Sequence, residues 1–283
     1  MPKSIITLTT DFGMSDAYAA SLKGAILSID REVSVVDISH DVPRQNVAHG
    51  AFILAGISDY FPPDTVHVAV IDPGVGTLRR PLLLVTPKGR YLAPDNGVLT
   101  YVLRDLFLDS QQKVFSDVAN AVFLEPKITG LPPDCSVFEL TCPDYWGSHI
   151  SNTFHGRDVF APVAAHVARG VAYEDLGEPI DRVVCLNVPS PSVSDGYVKG
   201  RVIFIDCYGN LITNIREGDI PSGEVEVVIS NRRIKGLSSN YCEEWLVGVI
   251  GSRGYLEVAV SKGNAGTTLD VKIGSDVFVV STA

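Results

Sequence analysis

The stretch VAVIDPGVGTLRR, residues 68–80, sets one carboxylate, Asp72, and two guanidinium groups, Arg79 and Arg80, on either side of a turn with two glycines. Val68 to Ile71 is a short apolar run, and Pro73, Gly74 and Gly76 end it because they favour turn dihedrals over a sheet ladder. Asp72 is therefore expected at a strand tip, with the loop able to fold an arginine back towards it. Taken alone, this is either a structural ion pair across a turn or the polar part of a site.

Two other apolar runs also end in acids. Asp11 follows ITLTT, and Asp37, His40 and Asp41 follow VSVV. In an open parallel sheet, ligands bind outside the carboxyl ends of the strands, so acids gathered at three such ends carry more weight than any one of them. Asp11 can serve as a turn or cap carboxylate, or can grip a ribose diol. His155, in TFHGRD, precedes a helical pattern and can pair with Asp158 or sit at the surface. His166 lies three helical turns further on, but no H-E-x-x-H or comparable ligand spacing accompanies the two histidines, and no metal is expected.

Other chemistries lack their motifs. PGVGTLRR carries G-x-G without a third glycine and leads into a strand, which argues against a dinucleotide fingerprint. Neither G-x-x-x-x-G-K-[ST] nor G-x-S-x-G occurs. Near the C-terminus, IDCYGNLITN places Asp206 and Asn210 around a Y-G-N turn, and GSRGYLEVAVSKGNAG offers Ser252, Arg253 and Asn264. Both stretches also read as ordinary hairpin loops.

The elements that position these groups fall into two sets. From residue 4 to about 106, strands (IITLTT, VSVVDI, VHVAVI) alternate with helices expected over about Asp16 to Ile29 and around Val47 to Ile57. That alternation implies a parallel sheet covered on both faces, with PLLLVTP and RYLAP as a local antiparallel addition. Residues 107–150 show no clear period and read as an excursion, after which Val159, Val163 and Val167 mark one face of a helix stopped at Gly170. NVPSPSVSDG, residues 187–196, has the composition of a linker. Beyond it come short period-two runs: YVKGRVIFID, NLITNI, EVEVVIS, GYLEVAV, TTLDVKI and DVFVV. The expected fold is thus α/β: a mostly parallel α/β sandwich domain over 1–190 holding the strand-tip acids, followed by a small antiparallel β-barrel domain over 197–283.

The 283-residue chain is 46% hydrophobic and 20% charged, as in a folded globular protein. Its formal net charge of -10, with no Lys/Arg cluster, argues against nucleic acid and suits a cationic small molecule better. The N-terminal apolar stretch is too short for a signal peptide and no run reaches membrane-spanning length, so a cytoplasmic location without membrane partners is expected. Cys135, Cys142, Cys185, Cys207 and Cys242 are odd in number and form no C-x-x-C pair, which predicts reduced, mostly buried thiols.

In order, TLTTDFG with Asp16 and Tyr18, VIDPGVGTLRR, APDNG, TFHGRD, DCYGNLITNI and SRGYLEVAVSKGNA resemble the S-adenosyl-L-methionine (SAM) hydrolase (adenosine-forming) family, also called SAM hydroxide adenosyltransferases. The blocks span nearly the whole chain, and the family is related to fluorinases and chlorinases. The resemblance implies an N-terminal α/β domain, a C-terminal β-barrel and a homotrimer with active sites between subunits. It implies hydrolysis of SAM to adenosine and L-methionine by a catalytic Asp72, Arg79 and His155, with no cofactor. By the same resemblance, Asp11 grips the ribose hydroxyls, Asp206 the methionine ammonium, and Ser252 with Arg253 the methionine carboxylate. Asn210 lies at the adenine or its surroundings, and the backbone near Asn264 and Ala265 meets the adenine edge. The halogenases have no counterpart of the histidine in FHGRD, so this block favours water over halide as the nucleophile.

Overall fold

The computed structural model describes residues 3–110 and 123–282. The described residues divide into two compact units, 3–110 with 124–187 in the first, and Phe123 with 188–282 in the second.

The first unit opens as the sequence predicts. Strands β1 (Ile5–Thr10), β2 (Ser34–Ser39) and β3 (Val66–Val70) alternate with helices α1 (Tyr18–Ile29) and α2 (Val47–Ile57). Then come the hairpin β4 (Pro81–Thr86) and β5 (Gly89–Pro94) and helix α3 (Thr100–Asp109). Next are β6 (Pro126–Gly130), β7 (Ser136–Leu140), α4 (Ala161–Ala168), α5 (Tyr173–Leu176), β8 (Gly177–Ile180) and β9 (Arg182–Leu186). The main sheet has the order β2-β1-β3-β5-β4-β7-β8. Pairing is parallel from β2 to β5 and antiparallel from β5 to β8.

One face of the sheet buries Ile6, Leu8, Val68 and Leu92 against Leu22 and Ile26 of α1 and Val163 and Val167 of α4. Thr7 and Thr9 point to the other face by strand alternation and are fully buried as well, so helices cover both faces. There α2 packs on α3 through Phe52 and Tyr101, whose rings meet edge to face at 5.3 Å.

The excursion read over 107–150 is corrected in part. Helix α3 continues to Asp109, β7 joins the main sheet beside β4, and β6 pairs with β9; residues 111–122 lie outside the described residues. Periodicity could not reveal β7, because its five residues are too short to show a period and their sheet partner lies some fifty positions earlier.

The second unit is a nearly closed antiparallel sheet. Its strands are β10 (Ser192–Ser194), β11 (Tyr197–Ile205), β12 (Leu211–Arg216), β13 (Val225–Ile229), β14 (Arg232–Lys235), β15 (Leu246–Ile250), β16 (Tyr255–Val260) and β17 (Asp276–Ser281). The order is β14-β13-β17-β11-β12-β16-β15, and a bridge from Ser238 to Val249 joins the two ends. The linker-like stretch contributes β10, which pairs with β11. TTLDVKI, expected as a strand, instead begins within a short helix, α6 (Ala265–Thr268), because Asn264 caps it by accepting the Thr267 N–H at 2.9 Å. The cysteines are free, but only Cys185 is fully buried; Cys207 and Cys242 are exposed.

Candidate active site

The loop after β3 is built from tight turns. The Val75 N–H donates to the Asp72 carbonyl at 3.2 Å, the Thr77 N–H to the Gly74 carbonyl at 3.1 Å, and the Thr77 hydroxyl to the same carbonyl at 2.6 Å. This curl returns Arg79 onto Asp72. Arg79 Nε stands 3.1 and 2.9 Å from the two carboxylate oxygens, and Nη2 stands 2.5 Å from Oδ2. Both side chains are nearly buried, 8% and 4% exposed, and the guanidinium lies over the Phe160 ring at 5.4 Å. The second arginine goes elsewhere: Arg80 pairs with Asp95 at 2.6 Å.

His155 completes the group. Arg79 Nη2 donates to His155 Nδ1 at 2.9 Å, across 76 positions of sequence. A guanidinium has donors only, so Nδ1 must be the acceptor, and the neutral ring carries its proton on Nε2. Burial and the Arg79 charge hold the His155 pKa below the ordinary imidazole value, although Asp72 and Asp158 act in the opposite sense. The trio thus presents one carboxylate held by a guanidinium, and one imidazole with its N–H on Nε2.

The segment that delivers His155 is fixed from both sides. His155 precedes a widened helical turn over Gly156–Phe160 that leads into α4; such π-type turns recur at functional sites. Asp158, a possible partner of His155 by sequence, instead binds Arg157 Nε at 2.6 Å and accepts the Ser151 N–H at 2.8 Å. Phe154 packs edge-on to Phe12 and Tyr18, at 5.6 and 5.2 Å, which ties the segment to the tip of β1.

The register pairs Thr10 with Val70, so Asp11 stands at the same sheet edge as Asp72. Asp11 Oδ2 accepts the Gln45 N–H at 2.7 Å and steadies the loop before α2. The acids after VSVV do not join the trio: Asp37 holds Lys23 at 2.5 Å and His40 at 3.1 Å, and His40 Nδ1 meets the Thr10 hydroxyl at 2.7 Å. His166 packs against Tyr145 rather than beside His155. Among the described residues, no group of three or more His, Cys, Asp or Glu is arranged to hold a metal ion.

In the second unit, Asp206 organises the β11–β12 turn. Its Oδ1 accepts the N–H groups of Tyr208 and Asn210 at 2.9 and 2.8 Å, and Oδ2 accepts Asn210 Nδ2 at 2.9 Å. The Gly209 carbonyl takes the Gly266 N–H at 3.2 Å, which brings Asn264 and the buried Ala265 against this turn. Gly209, at φ +84°, leaves no room for a Cβ, which would meet the Asn264 amide carbon at 2.1 Å. Ser252 and Arg253 lie in the β15–β16 turn, with the Arg253 guanidinium 5.8 Å from the Tyr255 ring centre. The structure therefore gathers Asp72, Arg79 and His155 into one network and places Asp206, Asn210, Asn264 and Ala265 around one turn.

Sequence reasoning missed Phe160 beneath Arg79 and the Asn152 backbone beside Gly76. Phe160 falls in the same buried helical face pattern as Val159 and Val163, so nothing in its spacing separates a platform for a cation from ordinary core.

Comparison with known proteins shows the family. The family model for the SAM hydroxide adenosyltransferase N-terminal domain matches residues 6–177, and that for the C-terminal domain matches residues 200–278. An (R)-S-adenosyl-L-methionine hydrolase of Methanocaldococcus jannaschii is 32% identical, over 98% of this chain and 95% of its own. One of Thermus thermophilus is 34% identical, over 95% and 96%. A fluorinase of Actinopolyspora mzabensis matches at 25%, over 98% and 97%. The crystal structure of a conserved protein from Thermotoga maritima, 30% identical, superposes with a TM-score of 0.81 over 98% of this chain and 100% of its own. The chain belongs to the SAM hydroxide adenosyltransferase family.

Proposed function

We propose that the protein hydrolyses S-adenosyl-L-methionine to adenosine and L-methionine. The observation that carries this reading is the Asp72–Arg79–His155 network, with its single carboxylate and its fixed N–H donors. The relatives at 32% and 34% identity named as (R)-SAM hydrolases support it, and the fluorinase at 25% makes halide transfer the second reading.

On this proposal a water oxygen attacks C5′ of the ribose in line with the C5′–S bond. The bonding pair passes to sulfur, which leaves as the neutral thioether of methionine, so no general acid is needed. Attack makes the water strongly acidic, and Asp72, an acceptor even while paired to Arg79, takes the released proton on its way to solvent. Arg79 and the His155 Nε2–H favour a hydroxide-like oxygen electrostatically. His155 orients the nucleophile in this tautomer, because Nδ1 is already occupied by Arg79 and Nε2 bears a proton. In-line placement itself contributes on the order of 7 kcal/mol in favourable cases.

Asp11 is assigned to the ribose diol. In the second unit, Asp206, Ser252 and Arg253 are assigned to the methionine end, and Asn210, Asn264 and Ala265 to adenine. A homotrimer is the proposed assembly. Apolar side chains left exposed on the trio's loop and its neighbours, Leu78 at 102%, Met14 and Tyr18, support a covered face there, and light scattering on the purified protein tests the stoichiometry.

The deciding experiment incubates the protein with each sulfonium epimer of SAM in oxygen-18 water and analyses products by mass spectrometry. Adenosine labelled at its 5′ oxygen with unlabelled methionine is expected. A 5′-halo-adenosine formed only with added chloride or fluoride would favour the second reading, and unchanged SAM that binds tightly would replace hydrolysis by a sensing role.

A further inference from the structure

In the second unit a nearly buried acid, Glu257, stands unexplained by any role given above. It lies in the middle of β16, where Leu256, Val258 and Val260 enter the core, so alternation turns Glu257 to the opposite face. A carboxylate only 9% exposed costs stability unless something compensates it.

Two features have been shaped around this carboxylate. The segment joining β14 to β15 folds back along β15, anchored by the Ser238 N–H on the Gly248 carbonyl at 2.8 Å. It brings the Tyr241 hydroxyl to Glu257 Oε2 at 2.7 Å. On the other side is Gly251, where a Cβ would stand 1.8 Å from Glu257 Oε1. Gly251 does not have a positive φ, so what the glycine supplies there is space, and the carboxylate fills it. Oε1 lies against Gly251, the residue that precedes Ser252 and Arg253. Burial, and then the hydrogen bond and charge of Glu257, hold Tyr241 above its ordinary value; burial also holds Glu257 up although the Tyr241 bond acts against it, and the Asp206 charge adds a smaller push to each.

We propose that Glu257, oriented by Tyr241 and given room by Gly251, is a further substrate-binding residue at the amino-acid end, where Oε1 and Asp206 together take the α-ammonium group. This rests on the SAM-hydrolase reading. It gives the site two acids for the ammonium beside Arg253 for the carboxylate, a charge pattern that selects an intact α-amino acid over a neutral or anionic thioether.

The test compares wild type with Glu257→Gln and Tyr241→Phe by calorimetry at saturating adenosine, using L-methionine and its deaminated analogue 4-(methylthio)butanoate. Glu257→Gln should weaken L-methionine about tenfold, as expected for a hydrogen bond between charged groups, and leave the analogue unaffected. In turnover, KM for SAM should rise by more than kcat falls, and Tyr241→Phe should give a smaller effect of the same kind. Equal losses for both ligands would make Glu257 a structural residue, and no loss for either would also overturn the proposal. Wild type that turns over SAM while the variant discriminates as wild type does would sink only this inference. Wild type that binds neither SAM nor methionine would remove the hydrolase reading and the inference with it.

Discussion

Gly76 and Asn152 approach so closely that a Cβ on Gly76 would stand 2.2 Å from the Asn152 carbonyl oxygen. Gly76 also has φ +76°, a conformation that costs a non-glycine residue roughly 1 to 2 kcal/mol. This contact seats the loop of Asp72 and Arg79 against the segment that ends in His155. Gly76→Ala should therefore separate the two halves of the trio. We expect turnover to fall on the order of 100-fold, the usual consequence of a misplacement near 1 Å, while far-ultraviolet circular dichroism stays unchanged. A variant with wild-type kcat would show that the approach does not position the trio.

Arg79 holds Asp72 through two nitrogens and His155 through one, an arrangement that a lysine ammonium has too few fixed donors to reproduce. Arg79→Lys should lower kcat by about 10² to 10³, the range seen when one electrostatic donor is removed. Crystallography of the variant should show His155 turned away from its present position, and retention of both activity and ring orientation would argue that the fork is dispensable.

The His155 pKa lies below the ordinary imidazole value, first through burial and then through Arg79. The ring is therefore neutral at pH 7, and protonation would put a second cation against Arg79 and break the acceptor bond at Nδ1. Activity should be retained down through the ordinary imidazole range and fall only at lower pH. A profile of kcat/KM against pH checks this, and an acid limb at or above the ordinary value would contradict the arrangement.

His67 is fully buried, with Nδ1 on the Thr7 hydroxyl at 2.8 Å and its ring stacked on Tyr91, and burial lowers its pKa from 6.5 to about 4. Between those values the unfolded chain binds the proton more readily than the folded one. The stability contribution is therefore complete above 6.5 and is lost as pH falls to about 4, a change of about 3 kcal/mol. Urea unfolding of wild type and His67→Gln across this window should show the steeper decline in wild type, and parallel declines would remove His67 as the cause.

Much of this protein is set locally. The apolar run of β3, the glycines after it and the seven positions from Asp72 to Arg79 confine the carboxylate and guanidinium to one short loop, and the alternation of strands and helices places Asp11 and Asp72 at one sheet edge. These follow from dihedral preference and burial period, which neighbouring residues encode. Tertiary structure decided the rest. His155 meets Arg79 across 76 positions, Tyr241 reaches Glu257 across 16, and β7 finds β4 across about fifty. Such pairs leave no periodic trace, because they depend on how separately formed elements pack, and packing is decided by shape and burial summed over the whole core.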